Sequence, residues 1–196
     1  RVVWMGLEYR YMPPTQAVVG EVRAGTVGEV RMVAIREHRF PFLPKVGNWN
    51  RFNRNTGGTL VEKCCHFFDL MNLLVGTPPV RVIASGGRDV NHLDEVYDGE
   101  VPDILDNAYV IVEYGGGVRA MLDLCMFAEA SKNEQELCAV GHVGKVEAFV
   151  PEEYWTVEAA VEAGLPPKFT LRLHKVDGQK PERLGADDAK RIAQVL

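Results

Sequence analysis

Apolar and polar residues alternate with a period of two along several stretches of the chain, which is the pattern of a strand with one buried face. From Gly28 onwards, Val30, Met32 and Ala34 stand at every second position, and Arg31, Arg36 and His38 are the polar residues of the pattern. This predicts a strand that turns Val30, Met32 and Ala34 towards the core. Shorter runs of β-branched and aromatic residues predict further strands, namely RVVWMGLEY at residues 1–9, VRVIASGG at 80–87 and KFTLRLHK at 168–175.

Two longer segments each hold a pair of β-prone runs around a glycine-rich turn. They are NAYVIVEYGGGVRAMLDLCMF at residues 107–127 and QELCAVGHVGKVEAFV at residues 135–150. Glycine adopts the positive φ values of tight turns, so both segments predict hairpins. The G-x-x-G of the second segment lies between two strands, whereas a phosphate loop leads into a helix, so the turn interpretation is favoured.

Helical patterns occur in three places. A helix over residues 15–24 follows two prolines, which suit a first helical turn. A second helix begins after the glycine pair Gly57-Gly58 and ends at Gly76. The stretch ADDAKRIAQVL at residues 186–196 predicts the start of a third, amphipathic helix.

The remaining segments predict loops, and the balance of elements predicts the fold class. Residues 41–58 are rich in Pro, Gly and Asn, and the acidic residues 89–106 predict a solvated, flexible loop. Because strands outnumber helices and most follow one another through tight turns, we predict an α+β fold. Its open, mostly antiparallel β-sheet would carry a few helices packed on one face. No G-x-G-x-x-G follows a predicted strand, so the chain contains no dinucleotide-binding half.

Composition and charge narrow the classes of partner. With 46% hydrophobic and 25% charged residues among 196, the chain has the composition of one globular domain, residues 1–196. Its formal net charge of −5 comes from intermixed charges, so we expect no nucleic acid and no membrane as partner. We find no apolar run of the roughly 18 residues that a membrane span needs and no signal-peptide pattern. The missing initiator Met indicates a fragment.

The four cysteines show neither paired C-x-x-C spacing nor a disulfide framework. Cys64 and Cys65 are adjacent, while Cys125 and Cys138 lie in apolar, strand-like runs. Buried free cysteine behaves as a small apolar residue. We therefore predict structural thiols in a reducing, cytoplasmic protein.

The second predicted helix carries ionisable residues on an otherwise apolar surface. At 100° per residue, Glu62, His66 and Asp69 fall on one narrow stripe. This stripe is too narrow for an ordinary solvent-facing surface, so we predict that it lines a cleft. Lys63 falls beside apolar positions, where its ammonium must reach outward or meet a partner.

Spacing alone leaves three interpretations of the stripe open. A histidine one turn from a carboxylate suits proton transfer near neutral pH. A structural helix that exposes one thin stripe would have the same pattern. Glu62 and His66 could also share a metal ion, but no H-E-x-x-H or other His pair occurs, so we predict no metal.

Five motifs follow one another within about residues 1–150: GLEYRYMPP, AGTVGEV, NWNRFNRNTGGTLVEKCCHFFDLMNLLVGTPP, DNAYVIVEYGGGVRAML and GHVGKVEAF. This order resembles the C-terminal domain of the Gfo/Idh/MocA oxidoreductases, named after glucose-fructose oxidoreductase, inositol dehydrogenase and rhizopine catabolism. The most specific part is the glycine pair followed by a carboxylate, a histidine and an aspartate, here Glu62, His66 and Asp69.

The resemblance implies a C-terminal domain that binds substrate and forms homo-oligomers through the open face of its sheet. NAD or NADP would be bound mainly by an N-terminal Rossmann domain that is absent from this chain. The implied function is that of an NAD(P)-dependent dehydrogenase acting on a sugar, cyclitol or related polyhydroxy compound, and the chain alone would be inactive. The alternative is a non-catalytic dimerisation module of the same fold.

The resemblance also implies roles for individual residues. His66 matches the family's acid/base histidine, and Glu62 matches the position where an Asp commonly assists it. Lys63 adds a cation beside this pair, so the three predicted catalytic residues are His66, Glu62 and Lys63. The predicted substrate contacts are Asp69 and four loop residues with stacking or hydrogen-bonding groups, namely Trp49, Arg51, Asn53 and Asn55. Enrichment in Asn and Gly is also typical of any turn-rich loop.

Overall fold

The fold is described by a computed structural model for residues 1–151, 169–175 and 182–183. The helices are α1 (Pro13–Arg23), α2 (Asn53–Thr56), α3 (Thr59–Glu62) and α4 (Cys65–Val75). The strands are β1 (Val30–His38), β2 (Pro79–Gly87), β3 (Asn107–Tyr114), β4 (Arg119–Cys125), β5 (Gln135–Gly141), β6 (Gly144–Val150), β7 (Thr170–Lys175) and β8 (Glu182–Arg183). Short 3₁₀ helices cover Glu8–Tyr11, Val46–Arg51 and Gly115–Gly117.

All strands of the described part form one open sheet with the order β2-β3-β4-β1-β5-β6-β7-β8. β1 pairs in parallel with β4, and the other pairs are antiparallel. The two predicted hairpins are β3–β4 and β5–β6. The α+β class and the mostly antiparallel open sheet are confirmed, whereas the helix predicted over residues 186–196 lies outside the described residues.

The core lies between one face of the sheet and the helices α1 and α4. Val18 of α1 and Met71 of α4 are fully buried, as are Leu122 and Val146 of the sheet. Burying a side chain of this size stabilises the fold by about 1.5–3 kcal/mol. This packing fixes α4 against β1, and so fixes every side chain that α4 carries.

The other face of the sheet has no helix over it in the described part of the chain, and we call it the open face. Ile83, Ile111 and Met121 lie in one row across β2, β3 and β4, and each is at least 40% exposed. A second row holds ion pairs in which Arg36 contacts both Asp123 and Glu136. The open face therefore combines an apolar patch with a charged row.

The prediction of which β1 residues face the core was only partly right. Val30 is buried as predicted, but Met32 is 58% exposed while Val33, Ile35 and Glu37 are buried. The pairing of β1 with β5 shifts between Val30 and Met32, where an irregularity adds one residue. Since side chains alternate with a period of two, this one-residue shift exchanges the faces of all later residues.

The strand predicted over residues 1–9 is wrong. Residues 1–7 form no regular element, and Tyr9 lies in the 3₁₀ helix Glu8–Tyr11. Val2, Val3 and Trp4 are exposed, whereas Tyr9 is buried. A strand needs a neighbour for its hydrogen bonds, and within the described residues no strand pairs with this segment.

The solvated, flexible loop predicted over residues 89–106 is also wrong in part, because much of it packs against the protein. Ile104 and Asp106 are buried. The Asp106 carboxylate accepts hydrogen bonds from the backbone N–H groups of Asp89, Val90 and Asn91. The acidic residues of this loop therefore bind backbone amides and basic side chains, contacts that its composition does not show.

Candidate active site

The helix predicted between Gly58 and Gly76 is broken into α3 and α4. Gly58 begins it with a φ of 80°, and a Cβ there would lie 2.1 Å from the Asn53 side chain, so only glycine fits. At the break, the N–H groups of Lys63 and Cys64 both donate to the Thr59 carbonyl. The second bond spans five residues and widens the turn, a distortion often found at functional sites.

The break divides the predicted stripe of ionisable residues. Glu62 ends α3, while His66 and Asp69 lie in the first turns of α4. Glu62 has its partner, Lys45, in the loop before α3, whereas His66 and Asp69 both have partners in the 3₁₀ helix Glu8–Tyr11. The structure therefore replaces the single helical stripe by two adjoining clusters.

His66 lies largely inside the protein, with 16% of its side chain exposed. Its ring stacks on the ring of Tyr9 with a centroid distance of 4.4 Å and an interplanar angle of 19°. Its Nε2 lies 3.7 Å from a carboxylate oxygen of Glu8, a residue that is mostly exposed. Burial lowers the pKa of His66, although the charge of Glu8 opposes this shift. The imidazole is therefore neutral near pH 7 and able to accept a proton.

Lys63 has the partner that its position in an apolar surface required. Its ammonium donates to the Tyr9 hydroxyl at 2.6 Å and lies 2.9 Å from the Glu37 carboxylate. Burial acts to lower the pKa of Lys63, but Glu37 and Tyr9 act in the opposite sense and the pKa is raised. Lys63 is thus a charged residue in the core, joined to His66 through the ring of Tyr9.

Glu62 lies beside the loop that precedes α3 rather than beside a second carboxylate. Its Oε1 accepts a hydrogen bond from Lys45 at 2.5 Å, and the Lys45 ammonium lies 5.1 Å from the centroid of the Trp49 ring. Asn55 donates to the Trp49 carbonyl, so it holds the same turn. Within the described part of the chain, the buried Oε2 of Glu62 has no hydrogen-bond partner.

Asp69 is paired with a residue from the start of the chain. Both of its carboxylate oxygens accept hydrogen bonds from the Arg10 guanidinium. This two-point contact ties α4 to the segment that carries Glu8 and Tyr9. Asp69 therefore fixes the relative position of the two elements that surround His66.

Arg51 and Asn53, two of the predicted substrate contacts, bind residues of the acidic segment 89–106. The Arg51 side chain is buried, donates to Glu95 at 2.8 Å and also donates to the Phe42 carbonyl. Asn53 donates to Asp103 through both its backbone N–H and its side-chain amide. These contacts brace the loop from which Trp49 projects, and substrate contact by either residue stays a prediction.

We expect Glu95→Gln to lower the free energy of unfolding at pH 7 by about 2 kcal/mol, because the buried Arg51 would lose its charged partner. Burial acts to raise the pKa of Glu95, but hydrogen bonds from His92, Tyr97 and Arg51 lower it to about 2. In the unfolded protein the pKa of a Glu side chain is about 4.3, so the ionised Glu95 stabilises the fold at pH values above about 4.3. This contribution to the free energy of unfolding is lost as the pH falls towards 2.

Urea unfolding of both proteins at pH 7 and pH 3 measures this difference. Glu100→Gln is the matched control, because Glu100 forms an exposed ion pair with Arg54 in the same region. Such a pair contributes less than about 1 kcal/mol, so the control should stay close to wild type. Equal losses in the two variants would show that Glu95 has no special role.

Sequence reasoning missed Glu8, Tyr9 and Glu37 as neighbours of the site. Glu8 and Tyr9 belong to the segment that was predicted as a strand, and Glu37 was not assigned to the core because of the shift in β1. Part of the signal was present, since Lys63 in an apolar surface demanded a partner. Its identity depends on contacts between residues that are distant in the sequence.

Burial affects the protonation of the cysteine thiols. Cys64 is buried, and burial raises the pKa of its thiol and raises that of Cys138 to about 11. Both thiols therefore stay protonated at neutral pH. In the described ranges, no three His, Cys, Asp or Glu side chains gather as metal ligands, and no helix is long and apolar enough to cross a membrane.

A sequence model described as "Oxidoreductase family, C-terminal alpha/beta domain" matches residues 20–166, which is well over half of the chain. The matched range contains Glu62, His66 and Asp69 together with α4 and most of the sheet. The chain belongs to this family. It is a C-terminal domain of the Gfo/Idh/MocA oxidoreductases, as its motifs predicted.

Individual proteins are also similar to this chain. The Bacillus subtilis (strain 168) protein "Putative oxidoreductase YteT" is 30% identical over 86 residues, which are 43% of this chain and 20% of that protein. The structure of aldose-aldose oxidoreductase from Caulobacter crescentus with glycerol is similar to this chain, with a TM-score of 0.68 at 18% sequence identity. The match covers 99% of this chain and 53% of the chain of that oxidoreductase.

The structure of an inositol dehydrogenase homolog from Azotobacter vinelandii with NAD+ is similar as well, with a TM-score of 0.65 at 20% sequence identity. The match covers 94% of this chain and 43% of the chain of that homolog. At these identities, the two solved structures show a shared fold. The chain thus spans about half, or less, of the length of the relatives that it matches.

Proposed function

We propose that this oxidoreductase domain binds the substrate of an NAD(P)-dependent dehydrogenase that acts on a sugar, cyclitol or related polyhydroxy compound. The observation that carries the proposal is His66, a largely buried imidazole whose pKa is lowered and whose Nε2 faces an exposed carboxylate. Oxidation of an alcohol needs a base that takes the hydroxyl proton, and a neutral imidazole is suited to this task at physiological pH.

The roles of the chain's own residues follow from their contacts. His66 accepts the hydroxyl proton at Nε2, and the Glu8 carboxylate stabilises the imidazolium that forms. Glu62 offers a carboxylate oxygen without a hydrogen-bond partner among the described residues, which suits a second substrate hydroxyl. Trp49, 42% exposed and held by Asn55, offers an aromatic face on which a sugar ring can stack.

The chain fits the substrate side of this reaction better than the dinucleotide. It has no glycine-rich strand-to-helix turn, so NAD or NADP would be held mainly by another domain. When bound, the nicotinamide supplies the hydride acceptor. The relatives that are named as an inositol dehydrogenase homolog and an aldose-aldose oxidoreductase support polyhydroxy compounds as the substrate class.

The free thiols of the described residues support a cytoplasmic location.

An assay of the full-length protein that contains this chain tests the proposal. Sugars, inositols and other polyols are supplied with NAD+ or NADP+, and formation of the reduced nicotinamide is followed by absorbance. We expect turnover with at least one polyhydroxy compound and none with simple monohydric alcohols. Tight dinucleotide binding without turnover of any polyol would overturn the proposal and favour the non-catalytic dimerisation module.

A second copy of the chain is the partner that the open face fits best. Its apolar row of Ile83, Ile111 and Met121 lies beside a charged row that contains both signs, so two copies can pair apolar with apolar and acidic with basic groups. We therefore propose a homo-oligomer that forms through this face.

Replacing Ile111 by Lys should weaken self-association by more than about a hundredfold, because the new ammonium would be buried between two copies without a partner. Sedimentation velocity over a range of concentrations measures this change. Val82→Lys is the matched control, since Val82 is exposed on the opposite side of the neighbouring strand β2. A wild-type chain that stays monomeric at high concentration, or equal effects of both variants, would contradict the proposal.

A further inference from the structure

A cluster of charged side chains lies in the core next to His66. The Glu37 carboxylate is fully buried, and it lies 2.9 Å from the Lys63 ammonium and 3.6 Å from the Arg39 guanidinium. Arg39 also lies 3.8 Å from Glu134, which is buried as well. We call these four residues, Glu37, Arg39, Lys63 and Glu134, the charge cluster.

Stability alone does not explain charged groups at this place. The attraction between two buried charges offsets only part of the free energy that is lost when they are removed from water. Well-packed apolar residues of the same size therefore often stabilise a fold equally well. The role of the charge cluster should therefore be sought in the residues that it contacts.

Two contacts join the charge cluster to the imidazole of His66. The Lys63 ammonium donates to the Tyr9 hydroxyl at 2.6 Å and lies 4.9 Å from the centroid of the Tyr9 ring. The Tyr9 ring in turn stacks on the His66 ring, with 4.4 Å between the two ring centroids. Tyr9 is therefore held at its hydroxyl by Lys63, and its ring stacks on the His66 imidazole.

We propose that Lys63 and Glu37 act through Tyr9 as positioning residues that hold the His66 imidazole in its buried, stacked orientation. Glu37 fixes the Lys63 ammonium, Lys63 fixes the Tyr9 hydroxyl, and the Tyr9 ring fixes the imidazole. The value of this arrangement for catalysis rests on the proposed function of His66 as proton acceptor. The positioning itself is a property of the folded chain and can be measured without turnover.

Four charged groups act on His66 from the surrounding elements. Glu8, Asp69 and Glu37 raise its pKa and Lys63 lowers it, while burial is the largest cause and lowers it. Asp69 is itself paired with Arg10. Because Lys63 and Glu37 oppose one another, removing both charges has a small direct effect. A ring that leaves its stacked position gains water, and its pKa then rises towards the ordinary value of about 6.5.

The decisive variant is the double substitution Lys63→Met with Glu37→Gln, which removes the ion pair and keeps the side-chain volumes similar. Protein labelled at its five histidines is titrated by NMR, and the His66 signals are assigned with a His66→Gln sample. We expect an unfolding midpoint close to that of the wild type, a His66 pKa raised towards about 6.5, and loss of the upfield ring-current shift that stacking on Tyr9 produces.

Tyr9→Phe keeps the ring and removes only the hydroxyl that Lys63 binds, so it should reduce the same ring-current shift. Tyr114→Phe is the matched control, since the Tyr114 hydroxyl donates to Asn72 on the same helix α4. If the double variant folds with the pKa and shift of His66 unchanged, or if Tyr114→Phe alters them as much as Tyr9→Phe does, positioning is overturned. If positioning is confirmed while His66→Ala keeps wild-type turnover, only the proposed function fails.

Discussion

Replacing His66 by alanine should lower the turnover of the full-length oxidoreductase by about two to four orders of magnitude, the usual contribution of a positioned acid or base. The imidazole is largely buried against Tyr9, so bulk water cannot take its place as a base at the same position. The Michaelis constant should change much less, because proton transfer matters in the transition state and substrate binding uses other groups.

The pH dependence of turnover gives an independent test of the same residue. Alcohol oxidation needs the neutral imidazole, and the pKa of His66 is lowered. Turnover should therefore fall only on the acidic side, with a midpoint below about 6.5, and this limb should disappear in His66→Ala. His142→Ala serves as a matched control, because His142 lies in the turn between β5 and β6. Near-wild-type turnover of His66→Ala would rule out the proposed role.

Replacing Lys63 alone by methionine should lower the free energy of unfolding by about 3 kcal/mol. The substitution leaves the fully buried Glu37 carboxylate without its nearest cation, and breaking a buried pair in this way typically costs about 3–5 kcal/mol. We expect the lower end of this range because Arg39 remains 3.6 Å from the same carboxylate. The raised pKa of Lys63 means that its stabilising charge is present at pH 7 and is lost only as the pH rises through that pKa.

Urea denaturation at pH 7 compares this variant with Lys145→Met, which removes a lysine from a more exposed ion pair with Glu147. The control should lose less than about 1 kcal/mol, because solvent screens such pairs. The double variant of Lys63 and Glu37 should recover most of the loss, since no unpaired charge remains in the core. A loss in Lys63→Met no larger than in the control would show that the buried pair is energetically unimportant.

The sequence predicted the elements whose patterns are local. The hairpins β3–β4 and β5–β6 follow from β-prone runs around glycines, and α1 follows from the two prolines in its first turn. The segment around His66 was predicted as helical, and it holds the most specific part of the family resemblance. In each of these cases, the signal lies within about twenty residues of the chain.

Features that depend on distant parts of the chain were not predicted. The shift in β1 arises from its pairing with β5, and it placed Glu37 in the core against the expected alternation. Lys63 was seen to need a partner, but Tyr9 and Glu37 are 54 and 26 residues away in the sequence. Arg51 was predicted to contact a substrate, because a loop of polar residues gives no sign that its side chain is buried and paired with Glu95.

Under the proposed function, the break between α3 and α4 separates the residue proposed to contact the substrate, Glu62, from the residue proposed to set the rate, His66. On one side of the break, Glu62 accepts a hydrogen bond from Lys45 of the preceding loop. On the other side, the His66 ring stacks on Tyr9. Substitutions in groups with different partners tend to have additive effects. Under the proposed function, remodelling the surroundings of Glu62 and Trp49 should thus change which compound is accepted while leaving His66, the proposed proton acceptor, intact.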